Sequence, residues 1–391
     1  MRKGERGMKR LSVWQWACVL SVFMDFGGGL VGLATPLLAV QWKANPTLLG
    51  VIGAAGPLGY TVGCLLFQPL TDAWGRKRSM LVGSVGVLLL CGALAAVSVT
   101  NWVAALGVLN LLNGLCLAFF WPPTQASAGI GVAPSQLLHT LLAYNLSWSS
   151  GRAIGTAIAG TLFERHPALP FLLATVSSLV VVVMSLGLPS EGDAKSMPKE
   201  ITDDPSPTDE LVLGAQLGNL VRSFAFFEAI VLFAELGKRW GWAPEEVSRV
   251  LTFLNAGQWL AFLLAPKLLR RVGWRWVIGA QGSVALCAFL LGLLRDRTAL
   301  SIVLFGLGFA AGITTVVSLY LSILSQGRSV KGSARHEAGV GAGAVFGPLL
   351  GGWVLQHFTP FTAFLLPSLL AGVTISSALW QRVQLTRSPT R

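Results

Sequence analysis

Long apolar runs separated by short polar stretches dominate the chain. A helix needs roughly 17 to 25 mostly apolar residues to cross the hydrocarbon core of a bilayer. Twelve runs approach or exceed that length: 11–40, 48–70, 80–99, 102–122, 137–163, 171–188, 211–236, 247–269, 276–294, 300–324, 339–355 and 361–380. Backbone amides in lipid must be paired within their own segment or within a closed barrel. The alternation of a barrel strand is absent, so the runs predict twelve transmembrane helices in an all-α polytopic membrane protein. One extended polar stretch, 189–210, carries four prolines and a block of acids and predicts a flexible linker. It divides the chain into a six-helix unit over 1–188, a linker over 189–210 and a second six-helix unit over 211–391.

Composition agrees with this pattern. The 391 residues are 53% hydrophobic and only 12% charged, whereas a soluble domain carries about 25% charged residues. The 45 glycines suit the close approach of helices in a membrane. A formal charge of +12 raises nucleic acid as a partner, but basic residues in the loops of a membrane protein account for it without one. The five cysteines lie in apolar runs and form no CxxC, and the four histidines lack metal-ligand spacing, so no disulfide framework, metal site or cofactor is expected. No GxSxG, HExxH or P-loop is present, which argues against an enzyme and against ATP-driven work. The first apolar run is too long for the core of a signal peptide, and it holds Asp25.

Lysine and arginine set the orientation. Alternating the spans places twenty of the 29 on the side of the termini and seven on the other, with Arg152 and Arg222 inside spans. The positive-inside rule then predicts cytoplasmic termini and a cytoplasmic linker, in a bacterial inner membrane.

The two halves repeat. After the second run Asp72 is followed by Gly75, Arg76, Lys77 and Arg78; after the eighth, Arg270 and Arg271 precede Gly273 and Arg275. The fifth run carries Gly151, Gly155 and Gly160, and the eleventh carries Gly343, Gly347, Pro348, Gly351 and Gly352. Parallel six-span repeats are a secondary-transporter plan, with substrate bound between the halves. With these motifs in place the chain resembles the major facilitator superfamily over nearly its whole length. Leu70, Asp72, Gly75, Arg76, Lys77 and Arg78 match the family motif after span two, with Gln68 and Ala73 departing from it. The eleventh run matches in full the Gly-x-x-x-Gly-Pro-x-x-Gly-Gly pattern associated with antiporters. The fifth matches it in part, with Thr156 and Ala159 as substitutions. Asn110, ahead of Asn113 and Gly114, stands where the family often has an arginine. The resemblance implies two pseudo-symmetric six-helix bundles and alternating access. On its own the basic triplet reads first as a topology signal; Asp72, a carboxylate at a helix end that can accept from a neighbouring helix or an arginine, adds the reading of Asp72 to Arg78 as a conformational latch. The glycines read as helix packing, which rocking of the halves would also use.

Charges at bilayer depth cost a few kcal/mol and face a partner or a cavity. Asp25, Arg152, Arg222 and Glu228 are such charges. At ~1.5 Å per residue, Asp25 and Arg152 lie roughly 21 and 22 Å from the same membrane face, which predicts that they meet. Arg222 and Glu228 point about 240° apart and are not expected to pair. Asn110, Asn113, Tyr144, Asn145 and Trp148 join the four charges as candidates for substrate or coupling, with Tyr60, Asn219, Asn255 and Gln258 as polar companions. Each has a structural alternative, as an interhelical bond or ion pair. His336 and Glu337, beside Arg335, read as a helix start, with a gate as the alternative.

The leading expectation is a secondary transporter that exports small organic compounds by ion exchange, with protons or another ion as coupling partner and the lipid bilayer as its surroundings. An uptake carrier for an anionic metabolite is the alternative, and a non-transporting receptor or scaffold a third.

Overall fold

The computed structural model describes residues 11–128, 132, 134–188, 208–268, 274–325 and 330–387. The first ten residues, 189–207 of the expected linker, Arg270, Arg271 and Gly273 of the second basic loop, and Arg328 lie outside the described residues. Among the described residues twelve helices follow one another and no strand occurs. In the first half they are α1 (Val13–Gln41), α2 (Pro46–Trp74), α3 (Arg76–Val97), α4 (Val103–Ala128), α5 (Pro134–Arg165) and α6 (Leu169–Leu186). In the second they are α7 (Asp209–Arg239), α8 (Pro244–Leu268), α9 (Trp274–Leu293), α10 (Arg297–Ser325), α11 (Val330–His357) and α12 (Pro360–Arg387).

Local chemistry sets the ends. The Asn45 side chain accepts from the Leu48 amide at 2.8 Å, and Pro46 opens α2 where its missing N–H costs nothing. Asp296 Oδ1 caps the start of α10 through the Ala299 amide at 2.8 Å. Thr208 caps α7, so Asp209 and Glu210, expected in the linker, form its first turn, where the helix dipole favours acids. Gly75 joins α2 to α3 at φ 77°, a left-handed conformation that an L side chain rarely adopts. The run expected to end at Pro122 continues through Pro123 to Ala128. Thr124 and Ser127 donate their hydroxyls to the Phe120 and Pro123 carbonyls at 2.6 and 2.7 Å, occupying backbone acceptors within the proline-containing turns.

Among the described residues eleven helices are long and apolar enough to cross a membrane. The helix that falls short on apolarity is α5, whose middle carries Tyr144, Asn145, Ser147, Ser149, Ser150 and Arg152. A helix this polar stays at membrane depth only by turning those groups towards other helices.

In the first half α1 packs on α5 and α6, and α3 on α4 and α6; in the second α7 packs on α11 and α12, and α8 on α10. Two long seams, α2 with α11 and α5 with α8, join the bundles. Glycine lies at four of these approaches that the two halves share. A Cβ on Gly151 or Gly155 would strike the Val22 or Phe26 carbonyl of α1, and on Gly343 or Gly347 the Leu220 or Phe224 carbonyl of α7. Gly160 meets Pro244 of α8, and Gly352 meets Pro46 of α2. The three α5 glycines map onto those of α11 at one constant offset, and so do their partners. The pseudo-twofold relation between the halves is therefore visible in backbone contacts.

Candidate functional site

At the centre of the molecule α1 and α5 bring Asp25 and Arg152 together. Arg152 Nη2 donates to Asp25 Oδ1 at 2.9 Å, which is the contact their depths predicted. The Asp25 side chain is 4% exposed and that of Arg152 is 27% exposed. The guanidinium lies over the Trp148 ring, 5.1 Å from its centroid, one turn earlier on α5. Such a cation–π contact is worth ~0.5–2 kcal/mol, more when water is excluded. Trp148 is fixed in turn: its Nε1 donates to Asn145 Oδ1 at 2.9 Å, and its ring meets Phe262 of α8 edge-on at 5.4 Å. Tyr144 is buried beside Trp148, Trp121, Ala17 and Ala128. A guanidinium has five N–H donors, so Arg152 retains donors beyond the one aimed at Asp25.

Across the pseudo-twofold, α7 and α11 build a second polar group. Arg222 is buried, and its Nε donates to Asn219 Oδ1 at 2.9 Å. Asn219 Nδ2 donates to the His336 carbonyl at 3.0 Å, and His336 Nδ1 lies 3.2 Å from Ser318 Oγ on α10. The Tyr60 hydroxyl of α2 donates to Glu337 Oε2 at 3.2 Å, a direct polar link between the bundles.

One expectation changes here. His336 and Glu337 do not open a helix, because α11 begins at Val330 and carries them nearly two turns inward. His336 is buried, and Glu337 faces the other bundle. The signal that would have found them is the repeat: Glu337 precedes Gly343 by the spacing that separates Asn145 from Gly151.

The remaining candidates are dispersed. Asn110 Nδ2 donates to the Ile52 carbonyl at 3.3 Å and ties α4 to α2. Asn113 is buried, and its Oδ1 accepts no hydrogen bond. Glu228 is fully buried against Gly351, apart from Arg222. Asp72 is exposed at the end of α2. Lys77 donates to the Leu186 and Leu188 carbonyls at 2.9 and 2.7 Å, closing the end of α6 within the same bundle. No group of three or more His, Cys, Asp or Glu among the described residues is placed to hold a metal ion.

Known proteins share this architecture. The MFS-type transporter YceJ of Bacillus subtilis is 24% identical over 84% of this chain and 86% of its own length. The gallate transporter of Pseudomonas putida is 28% identical over 42% of this chain and 37% of its own length. The enterobactin exporter EntS of Salmonella paratyphi A is 30% identical over 44% of this chain and 41% of its own length. The chain thus spans less than half of the latter two relatives. The crystal structure of the nucleoside transporter NupG superposes with a TM-score of 0.69 at 14% identity, covering 94% of this chain and 98% of that one, a likeness of fold. The family profile described as Major Facilitator Superfamily matches residues 17–237, more than half the sequence, and the chain belongs to that family of membrane transporters.

Proposed function

We propose that the protein exports small organic anions with a flat, aromatic body in exchange for protons, by alternating access between its two bundles. The observation that carries this reading is the Arg152 guanidinium, held at mid-depth by Asp25 and Trp148 with donors to spare. A planar guanidinium receives a carboxylate or a catecholate through two parallel hydrogen bonds, and Trp148 offers a face for a ring. An incoming anion competes with Asp25 for the same cation, so binding loosens the α1–α5 pair. In this reading Asp72 and the Arg76–Arg78 triplet latch the bundles in the opposite conformation, and residues 1–188 and 211–391 are the two moving bodies. The enterobactin exporters support export.

A second reading, uptake of an aromatic acid, has the gallate transporter in its favour. Purified protein in liposomes separates the two. With an acidic lumen, labelled gallate or 4-hydroxybenzoate accumulates if anion and proton exchange; with an acidic exterior it accumulates if they travel together. We expect the first, with Asp72→Asn slowing it several-fold at equal protein. Flux of neither compound under either gradient overturns the aromatic-anion assignment.

A further inference from the structure

We propose that Glu228 is a proton-binding site whose ionisation unseals the bundles at the face opposite the chain termini. Glu228 is 0% exposed, and neither carboxyl oxygen has a hydrogen-bond partner. The side chain packs against Gly351, where any Cβ would strike it. Among the described residues no ion pair includes it. On α7 Arg222 bonds Asn219, and Glu235 pairs with Arg239. On α1 Asp25 pairs with Arg152. On α11 Glu337 takes the Tyr60 hydroxyl and His336 faces Ser318, while His357 bonds the Trp353 carbonyl. On α8 Glu245 and Glu246 pair with Arg249 and Arg297.

A carboxylate without donors, cations or water is costly to bury. The packed arrangement thus holds the carboxylic acid, and a charged Glu228 must draw in water or move. Packing does not demand an acid at this position. The pseudo-twofold places Leu30 and Ala159 where the second half has Glu228 and Gly351, and both are fully buried.

What moves is set by the neighbours. Gly351 is followed by Gly352, whose Cα lies against Pro46 and Gly50 of α2, and is preceded by Pro348, whose carbonyl faces Gly50. One turn on from Glu228, Val231 packs on Gly53 of α2. The Thr47 amide also donates to Gln356 Oε1 at 3.1 Å across the same seam. Hydrating Glu228 pushes α7 from α11 beneath every one of these contacts. The proposal rests on the transporter reading for its use in coupling, but the movement can be observed without substrate.

Spin labels at Thr47→Cys and Gln356→Cys, read by pulsed electron-electron resonance in nanodiscs, report the seam from mildly acidic to mildly alkaline buffer. A single proton site predicts that the ratio of near to far populations falls by up to about tenfold per pH unit through the transition. Glu228→Gln should hold the near population at every pH. A wild-type seam that ignores pH, or a Glu228→Gln variant that keeps the wild-type response, overturns the proposal. If Glu228→Gln does not fold, Gly351→Ala tests the contact from the other helix: it should favour the far population several-fold even in acid, and unchanged distances overturn the proposal. Loss of aromatic-anion flux with an intact pH response would reject the substrate reading and leave the proton site standing.

Discussion

Arg152 is the residue on which substrate recognition and stability meet. Removing it leaves Asp25 buried without its cation, which costs about 3–5 kcal/mol for a buried pair. Arg152→Ala should therefore lose transport and lower the thermal midpoint together. Two further variants separate the roles. Asp25→Asn with Arg152→Gln leaves neither charge unpaired and should recover most of the midpoint without recovering flux. Arg152→Lys should retain a small part of the flux, since lysine keeps the charge without the planar fork. Full flux in the double variant would show that the pair only holds α1 to α5. The pair was legible in the sequence because helical rise converts position into depth, and two opposite charges at one depth in one bundle have reason to meet. Glu337 was not legible in the same way. It lies ahead of the apolar run 339–355, and hydropathy cannot tell a helix start from a polar turn buried against another bundle.

At the scale of the helix, existence was written in the sequence more plainly than extent. Each of the twelve apolar runs became a helix, but α4 passes through two prolines, and α11 starts nine residues before its run. Both extensions are polar or proline-bearing segments whose helicity depends on neighbours. For α11 these include α7, α10 and α2, which surround His336 and Glu337 with partners. The mean apolarity of α5 misleads in an informative direction, since the least apolar helix carries the charged centre. Glycine makes a sharper test of packing. Gly151→Ala drives a methyl into the Val22 carbonyl, and overpacking of this kind costs about 1–3 kcal/mol. Gly279→Ala meets nothing within 4 Å and should be neutral or slightly stabilising. Equal thermal midpoints for the two variants would mean that the glycine ladder does not set the distance between α1 and α5.

For the molecule as a whole, the repeat carries more information than any single span. One offset aligns the glycines of α5 with those of α11, and the same relation exposes where the halves differ: Asn145 against Glu337, and Leu30 against Glu228. Glu337 bonds Tyr60 of the other bundle, and Glu228 packs on Gly351 beside the seam with α2, as expected if symmetry supplies the rocking scaffold and departures from it supply the chemistry. Symmetry between the halves does not fix which face of the protein meets the cytoplasm. Charge predicts it, through the twenty-to-seven division of lysine and arginine that alternating the spans gives. The basic residues on the richer face include Arg76, Lys77 and Arg78 in a short loop, the kind of segment on which the positive-inside bias acts. We therefore expect alkaline phosphatase fused at the C-terminus to be inactive in a bacterial host and a fluorescent protein fused there to fold and glow. Moving the fusion point to the loop between α1 and α2, beside Lys43, should reverse both signals. Phosphatase activity at the C-terminus would invert the orientation, and the face opposite the termini, sealed here by α2 and α11, would then open to the cytoplasm.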